Sequence, residues 1–263
     1  MNFICYNLIS MKRTIIILTL FLSLLNCANA ANVKTVTKDY KVVTKDKFTI
    51  AATLEYPKIK EKKDFSTVVL IHALGYDSSW WETLPDALLD RGYAILKIDL
   101  RGHGNSVFNS KLVRVSWTSL KNKAFAKYPD DVITVINYVK NENKRTFFNN
   151  WAIVGSDIGG STAILAANKM SDKPKTIVIL SPLVSTKGLY IPVQLAELNN
   201  IDILSITGTK DIKSKQADEY LKKFAQSTYA EYTSASKSTG MLMLKSDETL
   251  AAVIASWINE YLK

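Results

Sequence analysis

Thiols and imidazoles are almost absent from this chain. Its 263 residues hold two cysteines, Cys5 and Cys27, and two histidines, His72 and His103. Both cysteines lie in a stretch read below as a leader, so the mature chain is expected to have no disulfide, no zinc–thiolate site and no cysteine nucleophile. Composition suggests neither disorder, nor a collagen-like repeat, nor a membrane bundle. No internal repeat or low-complexity linker divides the chain. No pattern for a metal or a cofactor is present, and neither is expected.

What is present begins with a leader. Met11-Lys12-Arg13 supplies a charged start, Thr14 to Leu25 an apolar run, and Ala28-Asn29-Ala30 a small-x-small cleavage site. Together they predict a secretory signal peptide over residues 1–30, opened by Met11, and an exported chain, periplasmic or extracellular, starting at Ala31. The apolar run is too short to span a bilayer comfortably. Cys27 follows Leu24-Leu25-Asn26, which resembles a lipoprotein box, but Asn26 is a poor match for the small residue such a box needs. Removing the leader takes Lys12 and Arg13 from 34 basic residues and none from 24 acidic ones, leaving a net charge of +8. The lysines are scattered, as at Lys34, Lys38, Lys41, Lys45, Lys47 and Lys58 to Lys63. Scatter without interleaved aromatics argues against a nucleic-acid site and for a solvated basic surface, with weak attraction to anionic envelope surfaces.

From residue 31 to 263 the pattern is that of one α/β domain. Thr35–Val43 and Phe48–Tyr56 read as an antiparallel hairpin. Thr67–His72 is a continuous apolar run, as a strand buried on both faces requires. A helix is expected from about Trp80 to Leu89, ending at Arg91-Gly92, then a strand over Ala94–Leu100 and a long polar loop from Arg101 to about Lys127. Pro129-Asp130-Asp131 opens a helix with Val132, Ile133, Val135, Ile136 and Val139 at helical spacing. Further strands are expected at Thr176–Leu180, Ile203–Thr207 and Ala230–Ser234, with helices at Gln216–Phe224 and Glu248–Leu262. The alternation predicts a mainly parallel central sheet with helices on both faces and an antiparallel N-terminal edge hairpin.

The stretch Trp151-Ala152-Ile153-Val154-Gly155-Ser156-Asp157-Ile158-Gly159-Gly160-Ser161 carries most of the chemistry. It reads as strand, tight turn and helix, and Gly155-x-Asp157-x-Gly159 has the spacing of a nucleophile elbow. Its apex is Asp157, where such elbows commonly have Ser. Three more stretches follow the same plan: His72-Ala73-Leu74-Gly75, Asp99-Leu100-Arg101-Gly102-His103-Gly104-Asn105-Ser106, and Thr207-Gly208-Thr209-Lys210-Asp211. With the elbow they resemble the α/β-hydrolase superfamily in content and order, over the whole mature chain. Ala73 departs from the His-Gly-x-Gly turn of that family. Residues 181–200 leave room for a short helix and no large cap.

The resemblance implies a set of roles. Asp211 matches the acid of the catalytic triad, and the backbone N–H groups of Leu74 and Ile158 match the oxyanion-hole donors. The position of the triad His falls at Thr239, which cannot move a proton at neutral pH. An Asp apex resembles haloalkane dehalogenases and epoxide hydrolases, in which the carboxylate attacks an alkyl carbon, but that chemistry also needs the missing His. For each residue a structural reading stands beside the catalytic one. Asp157 could cap the elbow helix. Ser156, next to the apex, should point sideways. His72 and His103 could bind loop backbone or substitute as a base, and Trp80, Trp81 and Trp117 could line a pocket or pack the helix. If Asp211 lies near Asp157, one carboxyl should have a raised pKa or a cation such as Lys210 or Lys237 beside it. Two functions follow: a catalytically impaired or non-catalytic exported protein that keeps a pocket for a small molecule or partner, or an active hydrolase on esters by an unusual relay or on alkyl carbons through Asp157.

Overall fold

The computed structural model describes residues 34–60, 64–142 and 146–263. The expected leader, with Met11, Cys5, Cys27 and the Ala30 cleavage site, lies outside them, as do Lys62 and Lys63. Eight strands form one sheet in the order β1-β2-β4-β3-β5-β6-β9-β10. They are β1 (Thr35–Val43), β2 (Thr49–Pro57), β3 (Asp64–Ile71), β4 (Ala94–Ile98), β5 (Thr146–Ser156), β6 (Thr176–Leu180), β9 (Asp202–Gly208) and β10 (Tyr229–Ser234). β2 pairs antiparallel with β1 and with β4, and every other pairing is parallel. The edge hairpin is therefore as expected, and β2 alone runs against the rest.

The centre of the sheet is covered on both faces, which is why β3, β4 and β6 are mostly apolar, while the edge strands β1 and β10 keep exposed polar positions. Along β3, Val69 and Ile71 join one core, while Val68 and Leu70 join the other. The same division holds in β6, with Ile177 and Ile179 on one side and Val178 and Leu180 on the other. The first core is closed by α3 (Tyr128–Glu142) and α4 (Ile158–Lys169), the second by α1 (Leu84–Leu89) and α8 (Leu250–Leu262). Both cores and the eight strands of this sheet lie within the described residues.

Several boundaries differ from expectation. The helix expected from Trp80 is two pieces: a 3-10 turn over Ser78–Trp81 and α1, separated by Glu82 at φ 47°. Asp77 caps the turn by accepting from the Ser79 N–H, and Pro85 starts α1, so local chemistry restarts the chain where the apolar spacing ran on. The long loop after β4 contains a 3-10 turn at Trp117–Ser119 and the short α2 (Asn122–Phe125). Residues 181–200 hold a two-residue hairpin, β7 (Ser185–Thr186) with β8 (Leu189–Tyr190), and α5 (Pro192–Glu197). α6 (Ile212–Leu221) begins four residues before the expected Gln216, and α7 (Met243–Ser246) precedes α8.

Candidate functional site

The elbow is set by how closely α4 lies against the strands. A Cβ on Gly155 would stand 2.5 Å from the Gly159 carbonyl oxygen, and one on Gly159 would stand 2.1 Å from that of Ile71. Only hydrogen at these positions lets the helix start directly above the strand ends. The turn between them is one residue, Asp157, at φ 53° and ψ −117°. That conformation is costly for a residue with a side chain, on the order of 1–3 kcal/mol, and is held by the surrounding bonds. The Asp157 N–H donates to Leu180 O at 2.9 Å, and its carbonyl accepts from Gly160 and Ser161. The expectation that Asp157 caps the helix needs correction, because its side chain makes no capping bond. The left-handed turn keeps the carboxylate off the N–H groups that a capping side chain would bond and leaves it beside those of Ile158 and Leu74.

That carboxylate is half-buried, and its pKa is raised to about 6. Burial is the largest cause. Lys213 and the N–H groups of Ile158 and Leu74 oppose it, while the Asp211 charge adds to it. The two N–H groups matched to an oxyanion hole therefore act on the protein's own Asp157 side chain. The compensating cation is Lys213, not Lys210 or Lys237, because the early start of α6 brings its first turn toward the elbow.

Asp211 is buried and already engaged. It accepts from Ser181 Oγ at 2.5 Å and, as the N-cap of α6, from the Ser214 N–H at 3.2 Å. Ser181, at φ 55°, in turn accepts from the Gly240 N–H at 2.6 Å, and Ser156 Oγ accepts from the Met241 N–H at 2.9 Å. Two hydroxyls at the strand ends thus fix Gly240 and Met241, the two residues that follow Thr239. Thr239 itself is exposed and makes no capping bond. Sequence reasoning missed Ser181. Its signal was a polar residue directly after the apolar run of β6, at the same level as the elbow.

Both histidines are tied to backbone. His72 Nε2 accepts from the Leu100 N–H at 2.9 Å, so its Nδ1–H donates to Ala73 O at 2.7 Å. His103 Nε2 accepts from the Gly75 N–H at 3.0 Å, and its Nδ1 faces Arg101 O at 3.2 Å. Burial lowers the pKa of both; for His103, with the neighbouring His72 adding to burial, it falls to about 4. Each ring is held neutral with both nitrogens occupied, which suits a tie between loops and leaves no lone pair for a substrate proton.

The rest of the Asp99–Ser106 stretch does the same work. The Asp99 carboxylate accepts from the N–H groups of Ser78 and Asn105. Ser106 Oγ donates to Asp99 O and accepts from the Ala51 N–H. Arg101 grips Asp131 and Asp46 and lies over the Phe48 ring at 4.4 Å. Of the tryptophans, Trp81 is buried in the second core and Trp80 is 40 % exposed with its ring edge-on to Tyr76. Trp117 stacks on His103 with the planes 4° apart. Tyr76, His103, Val107, Arg114 and Trp117 line a pocket beside these loops, and Asp157 and Trp80 are not in its wall. Among the described residues no cluster of His, Asp and Glu could hold a metal ion.

Comparisons agree with this architecture. No curated protein sequence matches the chain. An esterase from Pyrococcus furiosus superposes with a TM-score of 0.66 at 14 % identity, over 90 % of this chain and 98 % of its own. A dienelactone hydrolase from Anabaena variabilis gives 0.64 at 15 % identity, over 86 % and 99 %, and an esterase from Exiguobacterium antarcticum gives 0.62 at 12 %, over 84 % and 100 %. At such identities the likeness speaks for the fold alone. The model of the family described as serine aminopeptidase, S33, matches residues 62–235. The match contains the elbow and the Asp211 turn and stops short of Thr239. Since it covers well over half of the sequence, on a sheet with a strained elbow between β5 and α4, the chain belongs to this family of α/β-hydrolases.

Proposed function

We propose that this is an exported α/β-hydrolase-family protein that binds a small molecule or partner and does not turn it over. The observation carrying this reading is the state of the two histidines. Hydrolysis through either an acyl or an alkyl ester needs a group that takes a proton from water, and both imidazoles have their nitrogens committed to backbone. Asp211, the residue that would orient a base, is bonded to Ser181 instead. Export rests on the leader Met11–Ala30 in the sequence. The pocket between Tyr76, Asp77, Arg114 and Trp117 offers ring faces and one charge of each sign, which suits an aromatic ligand that carries polar groups.

A second reading is favoured by one observation. A carboxylate on a strained apex, with the N–H groups of Leu74 and Ile158 acting on it, is also how a nucleophile on an alkyl carbon would be held. Steady-state turnover separates the two. The wild type is expected to be inert toward short p-nitrophenyl esters, epoxides and haloalkanes, and the double substitution Asp157→Ser with Thr239→His is expected to gain esterase activity. Turnover by the wild type that Asp157→Asn abolishes would overturn the binding reading.

A further inference from the structure

We propose that the hairpin formed by residues 107–115 is a docking element for an anionic lipid surface. The segment is ordered by its own backbone. Val115 N–H donates to Val107 O at 2.7 Å and Asn109 N–H to Val113 O at 3.1 Å. The Asn109 side chain accepts from the N–H groups of Lys111 and Val113, which closes the turn. Thr49 N–H donates to Phe108 O, so the hairpin adds to the end of β2.

The pairing gathers apolar side chains on one edge. Val43 pairs with Thr49, Thr49 bridges to Phe108, and Phe108 bridges to Arg114. Positions opposite one another in a ladder project to the same face, so Val43, Phe108 and Arg114 share it. Leu112 and Val113 stand at the tip. Exposures are 57 % for Val43, 42 % for Phe108, 79 % for Leu112 and 54 % for Val113. These are four of the eleven large apolar side chains exposed among the described residues, gathered on one small hairpin and the strand end beside it. Folding does not ask for them. Leu112 sits at φ 58°, where Asn or Gly would serve the turn better, and it covers nothing in the core.

The surrounding charge selects the occupant. Lys111 and Arg114 flank the tip, and Lys45 and Lys47 lie in the turn that follows Val43; all four are exposed, and none has an ion-pair partner among the described residues. The acid of that turn, Asp46, is neutralised by Arg101 and Lys127. An apolar tip ringed by free cations complements a bilayer with anionic headgroups, where side chains such as Leu enter the interface and Lys and Arg stay at headgroup level. The same hairpin supplies Val107 and Arg114 to the pocket wall, so docking would bring the pocket next to the lipid.

Co-sedimentation of residues 31–263 with vesicles tests this. Binding is expected to phosphatidylcholine vesicles that contain phosphatidylglycerol, weakened by high salt. Leu112→Asn with Val113→Ser, and separately Lys111→Glu with Arg114→Glu, should each weaken it by roughly tenfold or more. All four positions are exposed, so unchanged circular dichroism is expected. A control pair, Lys222→Glu with Lys263→Glu, should leave the signal largely intact. No binding to anionic vesicles by the wild type overturns the proposal. So does an equal loss in the control pair, or retention by the apolar pair, since either would mean that the overall positive charge carries the attraction.

Discussion

At residue scale, the elbow carboxylate sets a measurable pH dependence. Burial raises the Asp157 pKa to about 6, against about 3.9 for an unfolded Asp. Between those values the folded chain binds more protons than the unfolded one, so the contribution of Asp157 to stability is greatest at low pH and falls as pH rises through its folded pKa. Asp157→Asn removes that loss. The variant should gain stability relative to wild type, on the order of 1–2 kcal/mol after allowing for partial exposure, between about pH 4 and pH 7. Urea unfolding at the two pH values reads it, and a parallel pH dependence in both proteins would show that the carboxylate is not held as described. Asp218, buried and also raised to about 6, should leave a residual slope of the same sign in the variant. The identity of the apex residue and the scarcity of His were legible in the sequence. The cation beside the apex was not, because Lys213 reaches it only once Asp211 has capped α6 and advanced its first turn.

At the scale of elements, the elbow depends on contact between α4 and the strands beneath it. Gly159→Ala would force a Cβ against Ile71 O, which is backbone and cannot swing away. A loss of about 3 kcal/mol or more is expected in denaturant unfolding, well beyond the fraction of a kcal/mol that a helical Gly→Ala change usually contributes with the opposite sign. The strands and the long helices were readable because both faces of the sheet are covered and apolar spacing records that. The break at Glu82 was not, since a capping bond from Asp77 and a single positive φ decide it against an unbroken helical pattern. The Asp99–Ser106 loop was recognised as a family stretch, but its role in tying β2, the turn after β3 and the loop after β4 together is visible only in three dimensions.

At the scale of the molecule, the buried ion cluster joins remote parts of the chain. Arg101 pairs with Asp131 at the start of α3 and with Asp46 between β1 and β2, at 2.7 Å to each. Burial disfavours the guanidinium charge, yet the two carboxylates outweigh it and raise its pKa. Arg101→Met would leave Asp131 buried without its partner, and a loss of about 3–5 kcal/mol is expected, partly restored by adding Asp131→Leu. A loss below about 1 kcal/mol would mean that the cluster behaves as a surface pair. Charge counts along the chain could not reveal this pairing, whose members are 30 and 55 residues apart.

The claim that the elbow carboxylate does not react is tested most directly by intact-mass spectrometry. Without a base to hydrolyse it, any ester formed at Asp157 would persist. Residues 31–263 are incubated at pH 8 with a haloalkane and with an epoxide, alongside Asp157→Asn, then weighed and digested. The account predicts an unchanged mass for both proteins. A mass increase equal to the alkyl group less one hydrogen with the haloalkane, or to the whole epoxide with the epoxide, mapped to the peptide holding Asp157 and absent from Asp157→Asn, would contradict it and make the elbow carboxylate a nucleophile.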